Sequence, residues 1–74
     1  MSKVTIQTKL GRAIRQRREA LGYSQDTFAD AIGMHRAYYS SIERGERNLT
    51  LATIERVVAG LQCKISDLAQ VAGI

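Results

Sequence analysis

The run Ser24-Gln25-Asp26-Thr27-Phe28-Ala29-Asp30-Ala31-Ile32-Gly33-Met34-His35-Arg36-Ala37-Tyr38-Tyr39-Ser40-Ser41-Ile42-Glu43-Arg44-Gly45 constrains this chain more than any other stretch. It reads as a short helix, a tight turn and a second short helix. Ser24 is a good N-cap, because its hydroxyl can accept from a free backbone N–H of the first turn. Phe28, Ala29 and Ile32 then share one face at helical spacing. Gly33 stops the helix, since glycine enters the left-handed region without a steric penalty. Tyr39 and Ile42, three apart, give the second helix its own inward stripe. Ala29 is small where the two helices have to cross closely.

The remainder also reads as helix. Met1 to about Thr5 forms a loose arm, and a first helix is expected from about Ile6 to Leu21. Ile6, Leu10 and Ile14 step by four, Leu21 continues the stripe, and Gly22 closes the helix. After the loop Glu46-Arg47-Asn48-Leu49, Thr50 is the next N-cap. Leu51, Ile54, Val58 and Leu61 follow at three-and-four spacing, a strong amphipathic pattern. Gln62-Cys63-Lys64 is a break, and a short last helix starts near Ser66 with Leu68 and Val71 inward. With no proline and few aromatics, the chain is expected to be all-α, a compact five-helix bundle forming one domain over residues 1–74. A domain of this length buries only about 60% of its unfolded surface, so its stability must come from helix packing, aided by dimerisation.

Several functions are excluded. One cysteine, Cys63, and one histidine, His35, rule out a disulfide framework and a Cys/His zinc finger, and no cofactor, metal or small-molecule ligand is expected. Cys63 reads as a small buried apolar group. The Met1–Lys9 segment is too polar for a signal peptide, and no apolar run is long enough to span a membrane, so a cytoplasmic protein is expected. Glu43 has neither a partner acid nor a base-activated nucleophile, which argues against an enzyme. The net charge of +4 suits a polyanion, usually nucleic acid, although many small basic domains bind none.

The charged residues divide by position. Arg12, Arg15 and Arg17 belong to a solvated face of the first helix. Arg18 follows Ile14 by four and points at the core edge, where a charge must be paired; Glu43 is the candidate partner. Arg36, Ala37, Tyr38, Ser40, Ser41 and Arg44 lie off the buried stripe of the second motif helix, where side chains can read base edges or hold phosphates. Arg36 stands at the start of that helix, with the reach for a bidentate guanine contact, and a solvated arginine is the plain alternative. Gln25 is either a helix-opening polar residue or a phosphate contact at a helix N-terminus. Ser41 is equally readable as a solvent-facing residue, and His35 as an N-cap-like one.

Arg18, Gly22, Ser24-Gln25, Ala29, Gly33, Ile42-Glu43-Arg44-Gly45 and the apolar positions of the fourth helix resemble the Cro/phage-repressor-like, or xenobiotic-response-element, helix-turn-helix family. The resemblance covers Leu10 to Leu68 and implies a lambda-repressor-like fold. Within the family, Arg36, Tyr38, Ser40, Ile42 to Gly45 and Arg47-Asn48 look like restriction–modification controller proteins. The resemblance implies base readout by Arg36, Ala37, Tyr38, Ser40 and Ser41, and backbone contacts from Ser24, Gln25, Arg44, Arg47 and Asn48, with Tyr38 near the sugar–phosphate backbone as well. It also implies a buried Arg18–Glu43 pair. Three departures from the pattern stand out: Ala37 replaces a usual hydroxyl residue, Tyr39 a usual aliphatic one, and Arg17 and Leu21 look exchanged.

The expected function is a transcription regulator that binds double-stranded DNA as a homodimer on a palindromic operator, with recognition helices about 34 Å apart. Ile65, Leu68, Val71 and Ile74 are the expected dimer surface. The alternative is an antitoxin or protein-interaction module, ranked lower because no tail extends beyond the bundle.

Overall fold

Each expected cap signal starts a helix. A computed structural model describes residues 4–74, with α1 over Ile6–Ala20, α2 over Gln25–Ala31, α3 over Arg36–Glu43, α4 over Leu51–Leu61 and α5 over Ile65–Ala72. No strand occurs among the described residues. The Thr5, Ser24 and Thr50 hydroxyls accept from the backbone N–H groups of Thr8, Thr27 and Thr53, each at 3.1 Å. The Asp67 carboxylate instead caps the Lys64 N–H at 3.0 Å and opens α5. Thr5, expected in the arm, instead caps the start of α1, and the rest of that expectation, Met1 to Lys3, lies outside the described residues.

The turn inside the motif is set by Gly33, whose φ of +65° lets the Met34 N–H reach the Ala29 carbonyl at 2.8 Å and the Gly33 N–H reach that of Asp30 at 3.0 Å. That pair of bonds satisfies carbonyls that α2 would otherwise leave free. Arg56 on α4 closes the same corner, donating from Nε to the Ile32 carbonyl at 2.8 Å and from Nη2 to that of Gly33. α4 ends in the same way, except that Gln62 takes the left-handed place, at φ +56°. Arg17 steadies that end, donating to the carbonyls of Leu61 at 3.1 Å and Gln62 at 3.3 Å. Arg17 is thus no simple member of a solvated face. It spans from α1 to the end of α4 while Leu21, half-buried, packs on the core.

The five helices share one hydrophobic cluster centred on Ile14, Phe28, Tyr39, Ile42, Val57 and Leu61. Phe28 meets Tyr39 and Tyr23 with ring centroids 5.2 and 5.4 Å apart, a range in which tilted aromatic pairs attract. Backbones also approach closely: a Cβ on Gly11 would lie 2.5 Å from the Glu43 carbonyl oxygen, so α1 crosses the end of α3 where only glycine fits.

Three apolar positions differ from expectation. Leu51 is 77% exposed, on a side of α4 turned away from the core that Ile54 packs against, and Val57 takes the deep core place instead. Ile6, at the free end of α1, is exposed. On α5 the inward pair is Leu68 and Ala72, four apart, which turns Val71 outward.

Candidate nucleic-acid interface

The outer face of α3 borders an open depression lined by Gln25, His35, Arg36, Ala37, Ser40 and Arg44. Arg36, Ala37, Ser40 and Arg44 recur at helical spacing, so they form one row. His35 occupies the N-cap position without a side-chain capping bond and is exposed. Arg36 extends from the first position of α3, its Nε 2.8 Å from Oδ1 of Asp26 on α2. Arg44 is held by Glu46, with Nε at 2.9 Å and Nη2 at 3.1 Å, and donates from Nη1 to the Ser40 hydroxyl at 2.7 Å. That pairing with Glu46 raises the Arg44 pKa and lowers that of Glu46.

Behind the row lies a buried ionic network. Arg18 donates to both Glu43 carboxylate oxygens, at 2.6 and 3.1 Å, and to the Tyr23 carbonyl at 2.7 Å. Gln25 Nε2 donates to Glu43 at 2.9 Å, and the Tyr39 hydroxyl donates to the same carboxylate. Arg18 is 6% and Glu43 8% exposed, so the expected pair is present and deep. Burial pushes the Glu43 carboxyl up, but the hydrogen bonds from Arg18, Tyr39 and Gln25 outweigh it and hold the group below the usual carboxylate range. Arg18 is raised, chiefly by its bond to Glu43, and the Tyr39 phenol is raised first by burial and then by donation to Glu43. Among the described residues no buried side-chain polar atom lacks a partner. The network ties α1, α2 and α3 together, which fixes this outward row relative to the start of α2.

The unusual Tyr39 now has a reason. Its ring fills the core against Phe28, and its hydroxyl reaches Glu43 one turn on, which an aliphatic residue could not do.

The sequence-predicted residues fall into groups. Arg36, Ala37, Ser40 and Arg44 face the depression with Gln25, and Ser24 caps the helix beside it. Gln25 is half-buried and one of its amide N–H groups is committed to Glu43, which leaves the other for an external acceptor. Ser41 does not face outward. It is 4% exposed, donates to the Tyr38 carbonyl at 2.6 Å and accepts from Arg47 Nε at 2.9 Å, because position 41 turns onto the side of α3 that meets the following loop. A direct base contact from Ser41 is corrected accordingly. Arg47 also lies over the Tyr38 ring, 5.2 Å from its centroid, so Tyr38, Ser41 and Arg47 form one unit. Asn48 accepts from Gln7 of α1. Among the residues expected at a dimer surface, Ile65, Val71 and Ile74 are exposed, whereas Leu68 is 3% exposed and belongs to the core of its own chain. Leu68 is therefore withdrawn from that surface.

Sequence reasoning missed Asp26, Gln7, Arg56 and the Tyr39 hydroxyl as partners. The Tyr39–Glu43 spacing of four was a usable signal; the others depend on which helices meet. Cys63 is only half-buried, and burial raises its thiol pKa. No cluster of His, Cys, Asp and Glu fit to hold a metal occurs among the described residues.

The family model described as helix-turn-helix matches residues 14–68. This chain belongs to the helix-turn-helix family. The control protein C.MunI of a Mycoplasma species is 41% identical over 64 residues, 85% of this chain and 86% of that protein. The restriction–modification controller protein C.AhdI from Aeromonas hydrophila superposes with a TM-score of 0.80 at 35% identity, covering 84% of this chain and 94% of that one. The controller protein C.Esp1396I, solved as a tetramer in complex with its natural 35 base-pair operator, gives a TM-score of 0.84 at 27% identity over 95% of this chain and 92% of its own. The expected fold and family are those found. Among the described residues, no helix of this helix-turn-helix protein is long and apolar enough to cross a membrane.

Proposed function

We propose that this chain is a double-stranded DNA-binding transcription regulator of the restriction–modification controller type, acting as a homodimer on a palindromic operator. The observation that carries this reading is the outward row Arg36, Ala37, Ser40 and Arg44, beside Gln25, on a helix clamped from behind by the Arg18–Glu43 network. An exposed helix face of this kind enters a major groove, while basic and amide groups at its margins meet phosphates. The operator-bound relative supports the same reading. Base readout falls to Arg36, Ala37, Ser40 and Tyr38. Backbone contacts fall to Ser24, Gln25, Arg44, Arg47 and Asn48. Leu51, Ile65, Val71 and Ile74, all exposed large apolar residues, supply the dimer contact. A regulator acting on operator DNA is a cytoplasmic protein and needs no catalytic group. Selection from a random duplex pool tests the reading: a palindromic consensus is expected, and failure to enrich any sequence refutes it.

A further inference from the structure

Asp26 is the one acidic residue of the first turn of α2, and its carboxylate reaches across to the first residue of α3, 2.8 Å from Arg36 Nε. Both side chains are more than half exposed, so the pair adds little to stability. Its placement is what matters. A carboxylate on the groove-facing side of a DNA-binding protein repels phosphate, and an ion pair is needed to offset it. The contact at 2.8 Å is to Nε and is a charge contact without an aligned hydrogen bond, and among the described residues Nη1 and Nη2 of Arg36 have no hydrogen-bond partner. Those two nitrogens form the end of the guanidinium fork that fits guanine O6 and N7.

We propose that Asp26 is a specificity-determining positioning residue: it holds Arg36 by the Nε side, presents the Nη pair to a guanine, and penalises DNA that offers Arg36 no such contact. The inference rests on the base-reading role proposed for Arg36. On random duplex, Arg36 would swing to a phosphate and leave Asp26 unpaired beside the polyanion. On operator, Arg36 serves Asp26 and guanine together through different nitrogens. Asp26 therefore separates the two kinds of DNA without needing to touch a base.

The test is a double-mutant cycle of Asp26→Asn and Arg36→Ala. Asp26→Asn keeps the side-chain shape and removes the charge. Binding is titrated on the selected consensus duplex and a scrambled duplex at fixed salt, and the consensus is reselected for each variant. Asp26→Asn should lower the consensus-to-scrambled affinity ratio by about two- to fivefold, the range of an exposed ion pair. It should also relax preference at one base pair per half-site, and should leave base preference unchanged in the Arg36→Ala background. A merely structural role would move the melting temperature but not the preference at a single position. A wild-type ratio and consensus for Asp26→Asn, with Arg36→Ala relaxing its base pair, overturns this inference alone. An equal fall in ratio in both backgrounds also overturns it, since Asp26 would then act by charge without Arg36. If Arg36→Ala leaves the consensus intact, the base-reading role itself fails and this inference goes with it.

Discussion

Glu43 is the residue on which the structure makes its sharpest demand. Its carboxylate accepts two bonds from Arg18, one from Gln25 and one from Tyr39. Glu43→Ala leaves the 6%-exposed Arg18 guanidinium without its counter-ion and removes the acceptor from the Gln25 and Tyr39 donors as well. Breaking a buried pair from one side costs about 3–5 kcal/mol. A 74-residue domain has a net stability of roughly 4–11 kcal/mol at about 0.05–0.15 kcal/mol per residue, so the loss is a large share of the total. At about 4–8 °C per kcal/mol for a domain this small, the melting temperature should fall by at least about 12 °C. Urea unfolding followed by helical circular dichroism measures the difference. pH supplies a second arm. The Glu43 pKa is depressed in the folded state, so its contribution is complete above the unfolded value, about 4.3, and is lost as pH falls through the folded value. Wild type should therefore lose stability relative to Glu43→Gln as pH falls below the unfolded carboxylate value, since Gln carries no titrating group there. A melting temperature for Glu43→Ala within a few degrees of wild type refutes the reasoning. So does a stability difference between wild type and Glu43→Gln that stays constant with pH.

Three further outcomes are expected. Gly11→Ala should destabilise the fold by about 1–3 kcal/mol in urea titrations, although alanine is the better helix former, because the new methyl meets the immovable Glu43 and Ile42 carbonyls at 2.5 and 2.6 Å; an unchanged midpoint would show that α1 can shift. Arg47→Ala should weaken operator and random duplex alike and lower the salt slope by about 1 per site, and Ser41→Ala should weaken binding in the wild-type background but not in the Arg47→Ala one, since Ser41 acts by ordering Arg47; additive losses would mean that Ser41 is structural only. Val71→Glu should give a monomer by sedimentation that keeps its helical circular dichroism, since Val71 is exposed in the single chain, while its melting temperature falls by no more than the lost dimer contact contributes; a dimer would place the interface elsewhere, and Leu68→Glu cannot replace this test because it puts a charge into the core.

What could be read from the sequence was whatever depends on near neighbours in the chain. Ser24, Gly33 and Thr50 mark helix ends because capping is settled within four residues, and Phe28, Ala29, Tyr39 and Ile42 mark inward faces because the helical period repeats within a turn or two. Arg18 was recognisable as a buried charge because it shares the inward face of Ile14, and a buried charge requires a partner. Tertiary structure decided which side of a helix another helix reaches and how far along it. Leu51 and Val71 have the right period but lie where no helix covers them, while Val57 is covered completely. Ser41 looked available for a base until the loop carrying Arg47 folded over it. Asp26 and Arg36 are ten residues apart with a turn between them, so nothing in their spacing announces an ion pair; the angle at which α2 meets α3 brings them to 2.8 Å. Periodicity orients a residue about its own helix axis, but contact depends on the distance and angle between axes, which only the packed core sets.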